Sequence, residues 1–247
     1  MDRIDYEDRL VAFIDVLGFS ELVQASETDA AARSRIAGLV TADKLFVRFD
    51  DTFLLGIDGR GAFFSDTFIL SMAPDRVIYL VRSIGQLYRY LLPRGFLCRG
   101  AIVAGSLYHR ERVIVGPALV KAHQLERSAA IYPRIILDDT AMERWRFDFR
   151  DEPESRPPYP HLEALVKRDR DGLWFLDIFN PLWSSEFVPW TDVVSQVELI
   201  PDEDVDFLEG ARRMIEGGLA NYKGNKKIFA KYAWLATELD GHESSPC

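Results

Sequence analysis

Two cysteines, Cys98 and Cys247, are too few for a disulfide framework or a zinc site in a chain of 247 residues. Basic residues are also scarce: 30 Lys and Arg against 39 Asp and Glu leave a formal net charge of -9. So acidic a body lacks the clustered cations that non-specific nucleic-acid binding demands. The charge does not exclude a nucleotide as substrate, because bound Mg2+ or Mn2+ neutralises a triphosphate inside an acidic protein. No apolar run approaches the roughly 20 residues needed to span a bilayer. The opening segment Met1-Asp2-Arg3-Ile4-Asp5-Tyr6-Glu7-Asp8 is charged, unlike a secretory signal. There is no internal repeat and no low-complexity tract. These absences lead us to expect a soluble cytoplasmic protein with neither a membrane nor a nucleic acid as partner. Hydrophobic residues, by contrast, make up 48% of the chain, enough for a packed core.

The apolar run Leu10-Val11-Ala12-Phe13-Ile14, ending at Asp15, reads as a buried strand. Gly18 follows, and helix is expected from Phe19 to Gln24 and again after the Thr28-Asp29 cap, to about Phe49. Phe53 to Ile57 and Ala62 to Leu70 read as a hairpin turning through Asp58-Gly59-Arg60-Gly61. Pro74 opens a helix through Leu92, whose apolar residues recur at helical spacing. Strands follow at Phe96 to Val103 and Arg112 to Val115, a helix from Gly116-Pro117 to about Ala129, and a strand at Arg134 to Leu137. Two hairpins make the sheet mixed or antiparallel, so the expected class is α+β, a ferredoxin-like core with additions. Residues 1–145 form the core, and residues 146–247 extend the same domain. That extension holds a loop from about Arg150 to Pro160, a strand from Trp174 to Phe179, helices from Asp202 to Leu219 and Lys226 to Leu239, and a frayed tail from Gly241.

The residues that carry chemistry are two carboxylates in apolar surroundings, Asp15 at the end of the first strand and Asp66 inside the hairpin. A charge so placed must be paired, hydrogen-bonded or metal-bound. On neighbouring strands the two converge, and two carboxylates plus substrate phosphates are how Mg2+ is commonly held. The competing readings are a helix cap for Asp15 and a solvent-facing edge charge for Asp66. Phe64 and Phe68, which share the face of Asp66 under strand alternation, argue against the latter.

Phe13-Ile14-Asp15-Val16-Leu17-Gly18-Phe19 resembles the opening strand of class III nucleotidyl cyclases. Phe64-Ser65-Asp66-Thr67-Phe68-Ile69 resembles their second metal-aspartate hairpin, with Ser65 where Gly is usual, and Arg99-Gly100-Ala101-Ile102 before Gly116 resembles their later hairpin and helix. The resemblance covers roughly residues 9–138. It implies a class III cyclase core, two Mn2+ or Mg2+ ions held by Asp15, Asp66 and a backbone carbonyl near Val16, and homodimers with composite sites. The departures concern the base. Where purine cyclases carry Asn and Arg on the helix after Gly116, this chain has Val120 and Gln124; the base-reading Lys falls at Arg60 and the Asp near Val113. That pattern is similar to the Pycsar pyrimidine cyclases of bacterial anti-phage defence. It implies conversion of UTP to cyclic UMP, with CTP, a purine nucleotide in an altered pocket, or silent nucleotide binding as alternatives.

Arg60, Arg99, Lys121 and Gln124 are the expected substrate-binding residues, with Arg112 and the Lys223-Lys226-Lys227 cluster as further cations for the outer phosphates. A solvated turn for Arg60, an ion pair for Arg99 and a solvated helix start for the lysines are the plainer readings. His109 and His123 lack partners at metal-ligand spacing.

Overall fold

The computed structural model of the chain describes residues 4–47, 58–111, 113–150, 164–184 and 206–243. Its spine is the apolar run read above, which forms β1 (Glu7–Leu17) and buries Leu10, Val11, Ala12 and Ile14 almost completely. On one side β1 pairs antiparallel with β3 (Thr67–Met72), which pairs with β2 (Arg60–Phe64). On the other side lies β4 (Leu97–Arg110), antiparallel to β1 along its whole length. The α1 (Phe19–Ser26) and α2 (Ala30–Val47) helices connect β1 to β2, and α3 (Val77–Leu91) connects β3 to β4. The strand order β2-β3-β1-β4 with these crossovers is the expected ferredoxin-like α+β core. The sheet becomes mixed where β6 (Ile135–Leu137) joins β4 in parallel, and β8 (Trp174–Leu176) and β7 (Val166–Arg168) extend it. A short β5 (Val113–Val115) folds back on the end of β4.

Side chains alternate across β1, so its two faces serve different helices. Leu10, Ala12, Ile14 and Val16 join Val77, Leu80, Val81 and Ile84 of α3 in the main core. Val11, with Phe13 packed beside it, meets Ala118 and Ala122 of α4 (Pro117–Ser128) on the opposite face. Asp15 shares the α4 side. After β6 comes α5 (Asp139–Arg150), and the chain ends in α6 (Phe207–Asn221) and α7 (Lys226–Glu243).

The largest difference from the expected elements is the first hairpin. Its turn is Ser65-Asp66, not the glycine-rich Asp58 to Gly61, and the expected strand at Phe53 to Ile57 lies outside the described residues. Pairing Phe63 with Phe68 stacks the two rings with centroids 4.3 Å apart and turns Phe68, Leu70 and Met72 into the core. That burial outweighs the turn preference of the glycines. Asp66 therefore sits in the turn, and Phe64, 82% exposed, does not share a buried face with it. Other boundaries shift as well. α3 starts at Val77, α5 and β7 were not foreseen, β4 runs on to Arg110, and helix continues through Glu243 where a frayed tail was expected. The loop expected from Arg150 to Pro160 lies almost wholly outside the described residues.

At the end of β1 far from Asp15 lies a buried polar network. Arg9, 1% exposed, donates to Ser71 Oγ at 3.0 Å and to Asp58 Oδ2 at 2.7 Å. Ser71 Oγ lies 2.8 Å from His109 Nδ1, while His109 Nε2 is buried without a hydrogen-bond partner. Burial, reinforced by the charges of Arg9 and Arg60 and opposed by Asp58, pulls the imidazole from its usual 6.5 to about 4. The unfolded chain then takes up this proton first. Stability from His109 is complete above its unfolded value and is lost as pH falls toward 4, a swing on the order of 3 kcal/mol. Urea melts at pH 7 and pH 5 should show a steeper pH loss in the wild type than in His109→Gln; equal pH slopes in the two proteins would refute this.

Candidate active site at the end of the central strand

Strand pairing brings the two aspartates together. Asp15 lies across from Thr67 on β3 and from Arg99 on β4. Asp66 immediately precedes Thr67, and its carbonyl oxygen accepts a hydrogen bond of 2.8 Å from the Val16 N–H. The backbones of the two segments thus touch one residue past Asp15. Ser65 takes φ of 60°, the left-handed region that favours glycine, which accounts for the usual Gly at this place in the motif it resembles. Beyond Asp15 the chain turns through Gly18 at φ 75° into α1, whose start carries no side-chain cap, so the cap reading of Asp15 is not the one observed. Among the described residues the Asp66 carboxylate has a single long contact, from Thr67 Oγ1 at 3.4 Å.

Around these carboxylates the structure gathers further charges. Arg99 Nε donates to Asp15 Oδ2 at 3.3 Å and lies 2.5 Å from Glu126 Oε1 of α4. Glu126 is 2% exposed, and its Oε1 meets no partner in hydrogen-bond geometry despite that ion contact. Burial raises the proton affinity of Asp15; Arg99 opposes the rise and the charge of Asp66 adds to it. Burial likewise raises Glu126, against the pull of Arg99. Lys231 of α7 feels both Asp15 and Arg99; burial lowers its pKa, the Arg99 charge lowers it further, and Asp15 opposes. The ion-pair reading of Arg99 is thus met, with two acidic partners.

The other expected site residues lie elsewhere. Arg60 opens β2 rather than sitting in a turn, and is bound by Asp58, Glu7 and the His109 carbonyl in the polar network at the opposite end of the sheet. Lys121 pairs with Asp138, which also caps α5 through the Ala141 N–H. Gln124 and Val120 are exposed on α4, as are Lys223, Lys226 and Lys227 around the start of α7. Arg112 lies outside the described residues. The His123 ring packs against Phe13 in a tilted arrangement, with centroids 5.1 Å apart. Glu126 and Lys231 were missed. Each sits on an apolar stripe at four-residue spacing, Ala118-Ala122-Glu126 and Lys231-Leu235-Leu239, and a charge on a buried stripe is the signal that marked them.

α7 is held firmly enough to present Lys231. Trp234, one turn on, donates from Nε1 to Asp169 Oδ2 at 3.2 Å and stacks on Tyr132, while buried Arg134 ties Asp169 and Asp171 beneath it. Further along, Lys167 pairs with Glu238 at 2.7 Å, and His242 Nε2 lies 2.8 Å from Asp177 Oδ2. The ring of Tyr232 lies against Gly218 of α6, where a Cβ would come within 2.1 Å of it.

Two carboxylates, one of them partly compensated by Arg99 and Lys231, have the donor chemistry of a divalent-cation site. Among the described residues no group of three or more acidic, His or Cys side chains gathers as a ready-made cage. A cation held here would take Asp15, Asp66 and the Val16 carbonyl from the protein and its remaining ligands from phosphate oxygens and water, as Mg2+ sites commonly do.

No protein-family model matches the chain, and no curated protein matches it. Partial similarity to solved structures is found. A bacterial light-regulated adenylyl cyclase is 11% identical over 58% of this chain with a TM-score of 0.44; the match takes in 46% of that chain, under half its length. An adenylyl cyclase from P. aeruginosa is 13% identical over 70% of this chain and 94% of its own, with a TM-score of 0.48. The guanylyl cyclase domain of a fusion protein from the aquatic fungus Blastocladiella emersonii is 14% identical over 69% and 95%, with a TM-score of 0.45. No helix among the described residues is long and apolar enough to cross a membrane.

If α7 brings its cation to the site, Lys231→Met must raise the pKa of Asp15, since that cation lowers it. Titration of the Asp15 side-chain carboxyl by 13C NMR reads this directly. An unmoved midpoint would mean that Lys231 does not reach the carboxylate.

Proposed function

We propose that the chain is a nucleotidyl cyclase that converts UTP to 3′,5′-cyclic UMP and pyrophosphate, with the resident divalent ions held by Asp15, Asp66 and the Val16 carbonyl. The observation that carries this reading is the convergence of the two aspartates through the Val16 N–H to Asp66 C=O hydrogen bond, within a ferredoxin-like core. When bound, Mn2+ or Mg2+ acidifies the ribose 3′ hydroxyl and offsets charge on the departing pyrophosphate. In the reaction the 3′ oxygen bonds to the α-phosphorus, the bond from that phosphorus to the bridging oxygen breaks, and the hydroxyl proton passes to solvent. The chain itself contributes position and charge, which supply most of the rate in phosphoryl transfer. Asp15 and Asp66 hold the ions, and Lys231 and Arg99 set a positive margin along one side of them.

The pyrimidine preference rests on the motif resemblance. Val120 and Gln124 stand where a purine cyclase carries polar transition-state groups, and Arg60, the counterpart of the base-reading lysine, is consumed by protein partners. A homodimer with composite sites accompanies this reading. Exposed Val113, Val115 and Val120, 40–57% accessible around the start of α4, support burial of that face against a second copy. Anti-phage signalling is the biological setting this reading places it in.

Incubating the pure protein with Mn2+ and each of UTP, CTP, ATP and GTP tests the proposal: cyclic UMP is expected as the main product. Cyclic AMP or GMP instead would return the site to a purine cyclase, and nucleotide binding without turnover would make it a silent binding domain. Asp66→Ala should abolish turnover and leave the melting temperature nearly unchanged, because among the described residues that carboxylate has only the long Thr67 contact to lose. Retained turnover in this variant would sink the metal assignment.

A further inference from the structure

Arg99 poses a problem for any cation at Asp15. A guanidinium is always charged in proteins. Here its Nε donates to Asp15 Oδ2 at 3.3 Å, so it occupies a lone pair on the same carboxylate that the metal reading assigns to an ion. Arg99 and a dication repel each other, and Arg99 is half-buried with its side chain 27% exposed, so it cannot simply swing into water. The structure supplies an alternative. Glu126 Oε1 already lies 2.5 Å from the same Nε, on a carboxylate whose side chain is 3% exposed. That oxygen has no partner in hydrogen-bond geometry. A buried carboxylate is costly unless paired, and the charge of Arg99 beside this oxygen is what compensates it.

We propose that Glu126 is a positioning residue that draws Arg99 away from Asp15 when a divalent cation binds, so that the arginine changes carboxylates instead of competing with the metal. The inference rests on the reading of Asp15 as a metal ligand. Two features make the exchange short. Both carboxylates contact the same nitrogen, so a small rotation of the guanidinium completes the second pair. Gly100 also locks the backbone beside Arg99: a Cβ there would lie 2.4 Å from the Phe13 carbonyl oxygen and 3.1 Å from Ile14 Cα, so β4 stays pressed against β1. The backbone is fixed and the side chain has two acidic stations.

Mn2+ binding to the nucleotide-free protein, followed by loss of the free-ion EPR signal, tests this without reference to turnover. In Glu126→Gln, Asp15 becomes the single formal counter-charge in contact with Arg99 among the described residues, and Mn2+ should bind roughly tenfold or more weakly, the usual scale for partners behind a metal ligand. In Arg99→Gln/Glu126→Gln the competitor is gone, and binding should return to the wild-type level or tighter. The Arg99→Gln single variant separates positioning from simple attraction of the cation by the Glu126 charge: positioning leaves it as tight as the double variant, whereas charge attraction makes the double variant weaker than Arg99→Gln by the factor that Glu126→Gln costs the wild type. Wild-type affinity in Glu126→Gln, or no recovery in the double variant, overturns the inference while leaving the metal site standing. No Mn2+ binding by the wild type overturns the metal reading itself. Glu126→Asp, which keeps the charge one methylene short, should fall between wild type and Glu126→Gln; an Asp variant as weak as the Gln variant would count against the exchange.

Discussion

The antiparallel ladder between β1 and β4 is the constraint on which the rest depends. It runs from Glu7 opposite Leu107 to Leu17 opposite Leu97, and it places Asp15 directly across from Arg99. A one-residue slip would turn every side chain of β1 to the other face, sending Ile14 toward α4 and Asp15 into the core under α3. Gly100 guards against that loss. No other side chain fits where the β4 backbone meets Phe13 and Ile14 so closely. The ladder thus sets at once which face is core, which carboxylate faces the site and which cation stands opposite it.

The two ends of β1 treat charge differently. At the Arg9 end, guanidinium, hydroxyl, imidazole and carboxylate are joined in a network whose hydrogen bonds are mostly made, and His109 stays neutral because burial and two cations oppose its proton. Such a network rigidifies the sheet. At the Asp15 end Arg99 contacts both Asp15 and Glu126, Lys231 acts on Asp15, the charge of Asp66 acts on both acids, and the proton affinities of Asp15 and Glu126 are raised. This end gathers acidic groups in partly buried surroundings, which costs stability and, on the metal reading proposed above, favours a bound cation. The contrast separates a structural cluster from one suited to a ligand, although both are built on the same strands.

The C-terminal extension does more than widen the sheet. Arg134, Asp169 and Trp234 fasten α7 to β6 and the β7–β8 hairpin, and the tether aligns Lys231 with the end of β1. Regions that are distant in the chain, the first strand and the last helix, therefore share one electrostatic field. The glycine contact between Gly218 and Tyr232 keeps α6 and α7 close enough for the tether to hold.

Local pattern determined a good part of this. The apolar run ending at Asp15, the helix after Gly116-Pro117, the α3 stripe and the two odd carboxylates were all legible, because burial periodicity and breaker residues act within a few positions. So was the ferredoxin-like order, which follows from alternating helices and hairpins. The tertiary structure alone decided the hairpin register that moved Asp66 into its turn, the engagement of Arg60 and Lys121 by protein carboxylates, the arrival of Glu126 against Arg99, and the placing of Lys231 within electrostatic reach of Asp15. Each of these depends on which strand face meets which helix, a choice made by burying side chains such as Phe68 and Trp234 far from the residues it relocates. Sequence spacing carries no direct record of such long-range packing, so the charges that complete the site became visible only once the sheet and α7 were in place.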